Sequence, residues 1–219
     1  MVLRRHRRHP DLTTFYIFGE SPNDTSSLVH LINAVAEGSK KKIKTVPLRA
    51  PLIQQKGTLS HTRRSNATKV ESAIKSAMRS RREKKIVVVA HQDCDQVEPA
   101  HIAAAQAIED GLKSVGLPII AATPAYEMET WWYLWPDAVA KVCSYWRKLG
   151  RTGTDLGLIY DAKGALKRDL RPSGKVVRDY DENDGPTIAR HVREMGIIDK
   201  RNAKSDSFVI FSERILDVL

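Results

Sequence analysis

Apolar and polar positions along the chain switch between two periods. Residues 13–18, Thr-Thr-Phe-Tyr-Ile-Phe, are dense in aromatic and β-branched side chains and predict a first strand. Gly19 to Asp24 read as a turn, and from Thr25 the spacing changes. Leu28, Leu31, Ile32 and Val35 fall at i, i+3, i+4 and i+7, which predicts a helix with one apolar face, closed by Gly38. A second strand is expected over residues 43–48. Pro47, Pro51 and Gly57 then mark a loop, and residues 56–68 are polar. A helix over 66–82 presents Val70, Ile74, Ala77 and Met78 on one side. The third strand, 85–90, is a continuous apolar run of the kind covered on both faces. An alanine-rich helix over 99–115 and a fourth strand over 118–122 follow. After Pro124 a helix carries Trp131, Trp132, Leu134 and Trp135. Residues 150–184 are polar and glycine-rich, with a short helix over 163–170. Helices over 186–195 and 207–218 close the chain.

Strands that alternate with helices predict an α/β fold, with a largely parallel central sheet and helices on both faces. Residues 13–219 read as one such domain with a helical C-terminal extension. Residues 1–12, with Arg4, Arg5, Arg7 and Arg8, read as a basic flexible tail.

Composition narrows the class. The 219 residues are 42% hydrophobic, enough for a core without staples. No apolar run approaches the roughly 18 residues that cross a bilayer, and the N-terminal arginines lack an apolar stretch behind them. The two cysteines, Cys94 and Cys143, make no disulfide framework. A cytoplasmic protein without membrane contact is expected.

Charge then separates two parts of the chain. The net is +10, but residues 1–85 hold 19 basic and 6 acidic residues, whereas residues 86–219 hold 17 and 20. A basic part joined to a mildly acidic one predicts a polyanion surface beside a different kind of site. Nucleic acid is the expected partner, DNA ahead of RNA. Arg63, Arg64, Lys69, Arg79, Arg81 and Arg82 are the candidate phosphate contacts. Such contacts position a polymer without reading its sequence.

The candidate chemistry is acidic. In open α/β sheets, sites form outside the carboxyl ends of the strands. Glu20 follows the first strand, Asp93 and Asp95 follow the third, and Glu127 and Glu129 come shortly after the fourth. If the chain stays extended, Asp93 and Asp95 point to the same side. Close carboxylates need a cation or a proton between them, and all-oxygen donors favour Mg²⁺, with Mn²⁺ as a substitute. The alternative for an Asp-x-Asp after a strand is a turn or a helix cap. Asp24 fits a helix N-cap better than a ligand. His91 reads as a structural hydrogen bonder more readily than as a ligand. No zinc spacing, phosphate-binding glycine loop, dinucleotide fingerprint or nucleophile elbow occurs.

Phe18-Gly19-Glu20 after a strand, then Asp24, then an apolar strand ending in Asp93-Cys94-Asp95, resembles the Toprim catalytic domain, although here the glycine precedes the glutamate. Pro124 to Trp132 with its Glu127-Met128-Glu129, Asp161-Ala162-Lys163 with Leu166, Gly185-Pro186-Thr187 and Ser205-Asp206-Ser207-Phe208 resemble, in order, segments of RloB-like and related Toprim-like proteins of bacterial defence islands. The resemblance implies a Toprim-like fold, a metal-dependent nuclease and a partner protein of a phage-defence system.

On this reading Glu20, Asp93, Asp95 and Glu129 hold Mg²⁺, with Glu20 as general base or second-metal ligand. Lys163 neutralises charge on the phosphate, or is a solvated surface lysine. The tryptophans, at helical spacing, fit a core better than a base-stacking surface. Two rivals stand beside a Mg²⁺-dependent nuclease of phage defence or DNA processing. One is a non-catalytic nucleic-acid-binding scaffold with the same fold. The other is a phosphotransfer enzyme acting on small nucleotides.

Overall fold

The structure, a computed structural model, describes residues 12–49, 60–79, 83, 85–172 and 178–219. The basic tail up to residue 11, the segment 50–59 and both Arg81 and Arg82 lie outside the described residues.

Four strands form one all-parallel sheet among the described residues: β1 (Thr13–Phe18), β2 (Ile43–Pro47), β3 (Lys85–His91) and β4 (Ile119–Ala122). Their order is β2-β1-β3-β4. The period of two along each strand decides what covers each face. Phe15, Ile17, Val87 and Val89 face Leu28, Leu31 and Ile32 of helix α1 (Pro22–Gly38). Phe18, Val88 and Ala90 face Val70 and Ile74 of α2 (Ser60–Arg79) and Ile108 and Leu112 of α3 (Ala100–Leu112). The sheet is therefore covered on both sides, as its continuous apolar strands require.

The tryptophan segment departs from expectation. In place of one helix after Pro124, two short ones form, α4 (Glu129–Trp132) and α5 (Pro136–Ala140). Pro136 has no N–H to continue the first helix and instead opens the second. Trp131, Trp132 and Trp135 are at most 1% exposed and Trp146 is 7% exposed, so all four belong to the core. They share it with α6 (Ala162–Leu170), α7 (Gly185–Glu194) and α8 (Asp206–Asp217), and α7 and α8 both pack on α1. Among the described residues, no helix is long and apolar enough to cross a membrane.

Two helices begin earlier than their apolar spacing suggests. Helix α2 starts at Ser60 rather than residue 66, because its first turns have no apolar stripe to announce them. Helix α1 starts at Pro22, with Ser21 as its N-cap. Asp24 is thus not the cap but its partner in a capping box: Ser21 Oγ accepts from Asp24 N–H at 3.2 Å, and Asp24 Oδ2 accepts from Ser21 N–H at 2.9 Å.

One long-range clasp fixes the segment after β3. The buried Glu98 carboxylate accepts hydrogen bonds from Ser207 N–H (2.8 Å), Asp206 N–H (3.1 Å) and the Ser205 hydroxyl (3.3 Å) at the start of α8. A carboxylate at a helix N-terminus satisfies orphan donors and meets the positive end of the dipole. Gly157 closes against this carboxylate, leaving no room for a side chain.

Candidate metal centre

The strand order creates the site. From β1 the chain runs through α1 to β2 on one side, then crosses back through α2 to place β3 on the other. The carboxyl ends of β1 and β3 therefore lie at a topological switch point, where α/β sheets open a crevice. A cleft of about 330 Å³ lies there, and its walls include Glu20, Asp24, Asp93, Glu129, Lys163 and Tyr180. These four carboxylates, from three separate stretches of sequence, are thereby brought to one cleft.

Glu20 owes its place to Gly19. A Cβ at position 19 would sit 2.7 Å from Thr25 Oγ1 and 2.8 Å from Thr25 N, so only glycine lets β1 turn this closely onto α1. Glu20 stands at the mouth of the cleft and also lines a second, more apolar pocket beside Pro47, Leu48 and Arg49. Although its side chain is accessible, partial desolvation by surrounding protein atoms, then the charges of Asp93, Asp24 and Asp95, raise its carboxyl to about 7 against the opposing pull of His91.

Asp93 is half-buried and oriented from two sides. Its Oδ1 accepts from Met128 N–H at 3.1 Å and lies 3.3 Å from His91 Nε2. The His91 ring is fully buried beneath the acidic residues, with Nδ1 3.9 Å from Asp24 Oδ2. Burial disfavours the imidazolium, but Asp93, then Asp24 and Glu20, outweigh it and raise the His91 pKa. His91 thus lies under both aspartates, and neither of its ring nitrogens makes a hydrogen bond of normal geometry.

Asp95 does not join them. Its backbone turns into the left-handed region at φ 56°, a conformation aspartate tolerates better than most residues, so the segment is not extended as the same-side expectation required. Asp95 is exposed and is not among the residues lining the cleft, although its charge reaches Glu20.

Glu129, the first residue of α4, is 4% exposed. Its Oε1 accepts from the Tyr180 hydroxyl at 3.1 Å, and that hydroxyl accepts from Trp132 Nε1 at 3.2 Å. Burial raises the Glu129 carboxyl to about 7; Lys163 opposes the shift, and Glu127 and Asp93 add to it.

Lys163 is no isolated surface lysine. Its Nζ lies 2.6 Å from Glu182 Oε1 and 3.2 Å from Glu127 Oε2, and its N–H donates to Glu127 Oε1 at 2.9 Å. Burial would lower its pKa, but hydrogen bonding to Glu182 and the charges of Glu129 and Glu127 hold it above the ordinary lysine value. Glu127 is thus the anchor of Lys163.

The donors are all hard oxygens, and the cleft carries more carboxylates than cations, which fits Mg²⁺ or Mn²⁺. Among the described residues, however, no three His, Cys, Asp or Glu side chains converge into a ready ligand set. The acidic groups line the walls rather than meet at one point.

Sequence reasoning missed Tyr180 and Glu182, which arrive from a polar segment with no local pattern. It also gave Asp24 the wrong local role, although Ser21-Pro22-Asn23-Asp24 carries a readable capping-box signal. Of the basic candidates, Arg63, Arg64, Lys69 and Arg79 fall on α2, and Lys69 is exposed; the side chains of the three arginines lie outside what is described. No known family model matches this chain, and no curated protein matches it.

Proposed function

We propose that this protein is a Mg²⁺-dependent nuclease that hydrolyses phosphodiester bonds, with a Toprim-like fold and a place in phage defence or DNA processing. The observation that carries the reading is the gathering of Glu20, Asp93 and Glu129 around one cleft at the carboxyl ends of β1 and β3. The resemblance of Glu20 and Asp93 to the acidic positions of Toprim domains supports it, as does the +10 charge expected of a polyanion binder.

Asp93 and Glu129 would hold the ion, with Asp24 beside them. When bound, the ion supplies positive charge to the phosphoryl oxygens and the departing oxygen. Glu20, the carboxylate at the mouth, accepts a proton from the attacking water, and its raised pKa suits a base working near neutral pH. Lys163, held by Glu127 and Glu182, offers an ammonium to a non-bridging phosphate oxygen. Tyr180 keeps the Glu129 carboxylate in one orientation through its hydroxyl.

The test is cleavage of single- and double-stranded DNA and RNA by the full chain, with Mg²⁺, Mn²⁺ or chelator. Metal-dependent cleavage that Glu20→Gln and Glu129→Gln each abolish is the expected result. Cleavage that survives both substitutions, or an inert wild type on all four substrates, rejects the reading.

A further inference from the structure

The aromatic surface suited to a nucleobase is not the one the sequence advertises. All four tryptophans are packed into the core. Two tyrosines close in sequence to Glu127 and Lys163 contact each other instead, one exposed and one half-buried; neither lines the cleft itself. Tyr160 is 75% exposed, and its ring centroid lies 4.8 Å from that of the half-buried Tyr126 at an interplanar angle of 56°. A single exposed aromatic needs no explanation, but a contacting pair on the two stretches that Glu127 and Lys163 join is a different matter.

Both tyrosines are tied by sequence and backbone to residues of the site. Tyr126 immediately precedes Glu127 and lies three residues before Glu129; Tyr160 lies three residues before Lys163. The two stretches are clamped together where Glu127 binds both the N–H and the ammonium of Lys163. The Tyr126 backbone is fixed as well: its N–H donates to Gln96 O at 2.8 Å, and its carbonyl accepts from Asp95 N–H at 2.9 Å. It holds φ at 61°, an uncommon value for a bulky residue and one that persists only where the surroundings enforce it. The Tyr126 backbone is thus held on a fixed turn beside the Asp93 segment, while most of the Tyr160 side chain is open to solvent.

We propose that Tyr126 and Tyr160 form a stacking platform for an unpaired nucleobase, so that the polymer entering the carboxylate cleft is single-stranded nucleic acid. A base offers its π-face to a side chain only when it is unstacked, and such contacts tolerate any base. A duplex keeps its bases inside and gains nothing from the pair. This inference rests on the nucleic-acid reading above but not on hydrolysis.

The two are separated by measuring binding in chelator, where a metal-dependent nuclease is silent. The probes are a single-stranded oligonucleotide carrying 2-aminopurine, in DNA and RNA versions, and the duplex of the same sequence. Binding of the wild type to the single strand should quench the 2-aminopurine emission. Tyr160→Ala, a change at an exposed position, should weaken single-strand binding about tenfold and leave duplex binding within about twofold. Tyr160→Phe, which keeps the ring, should restore it. Equal losses on single strand and duplex, no loss on either, failure of the phenylalanine variant to restore binding, or no single-strand binding by the wild type would each overturn the platform. An absence of cleavage in Mg²⁺ by a protein that passes these tests rejects the nuclease reading alone.

Discussion

The Tyr180 hydroxyl donates to the buried Glu129 carboxylate while accepting from the Trp132 indole, so one oxygen links the tryptophan core to the acidic cleft. Burial and the neighbouring carboxylate hold the phenol well above its ordinary pKa, which keeps it a donor. Tyr180→Phe removes that donor and also orphans the Trp132 N–H. The expected cost is about 1–3 kcal/mol in urea unfolding. Metal-dependent cleavage should fall by about tenfold at unchanged substrate affinity. A variant as stable and active as the wild type rejects the link.

Asp93 and Asp95 should behave differently despite their symmetry in sequence. Asp93 lines the cleft and contacts His91, whereas Asp95 stands outside on a left-handed turn. Asp93→Asn should reduce metal-dependent cleavage by at least about a hundredfold, and Asp95→Asn by less than about fivefold. Titration of Mn²⁺ into the two variants should separate them in the same way. Equal losses would return Asp95 to the site.

Without metal, stability should fall as pH rises through the site's titration range. The carboxyls of Glu20 and Glu129 are raised from 4.5 to about 7, so between those values the folded protein holds more protons than the unfolded chain. Stability then decreases with pH across that window. His91, also raised, acts in the same direction at and above its ordinary 6.5. Thermal unfolding in chelator should show Tm declining from about pH 4.5 to 7.5, with up to about 3 kcal/mol lost at Glu129. Glu129→Gln should flatten the decline, and Mg²⁺ should restore Tm most at the alkaline end. A Tm that rises over this range contradicts the electrostatics of the cleft.

Reversing Arg63, Arg64 and Lys69 on α2 to glutamate tests the basic part of the chain. Binding to a single-stranded oligonucleotide should weaken, and the slope of log affinity against log salt should become shallower by about 0.7 for each phosphate that the variant no longer neutralises. An unchanged slope takes α2 out of the interface.

Glu98→Ala should leave the donors at the start of α8 without their carboxylate. The expected loss is on the order of 2–3 kcal/mol in urea unfolding, combining a lost cap with buried orphan donors. Glu98→Asp, whose shorter side chain cannot reach equally far, should recover only part of it. Full stability in the alanine variant would show that α8 is held by packing alone.

Much of the scaffold was legible in the sequence. β1, β3 and β4 declared themselves as apolar runs because both their faces are covered, and the parallel order followed from strands alternating with helices. α1 showed its buried stripe, and α3 its alanine-rich run. What stayed hidden depended on backbone turns and on distant partners. The left-handed turn at Asp95 ends the extended run without changing any residue type. The split between α4 and α5 depends on one missing N–H at Pro136. Tyr180 and Glu182 come from a stretch whose composition resembles any surface loop, and only packing against Trp132 and Lys163 gives them roles. Glu20, Asp93 and Glu129 were legible because strand ends in an α/β sheet converge; which neighbours they would meet there was not.

The clasp between Glu98 and α8 has a consequence for the order of events during synthesis. Ser205 lies 107 positions after Glu98, so Glu98 leaves the ribosome long before its partners at the start of α8 exist. A chain made from its N-terminus can assemble the sheet early. It cannot close the bonds of Glu98 to Ser205, Asp206 and Ser207 until α8 has been released and docked. The newborn protein therefore gains this clasp last, so a chain broken off before α8 carries the acidic residues and the bonds that join their loop to residues 122–128 but leaves Glu98 without its partners.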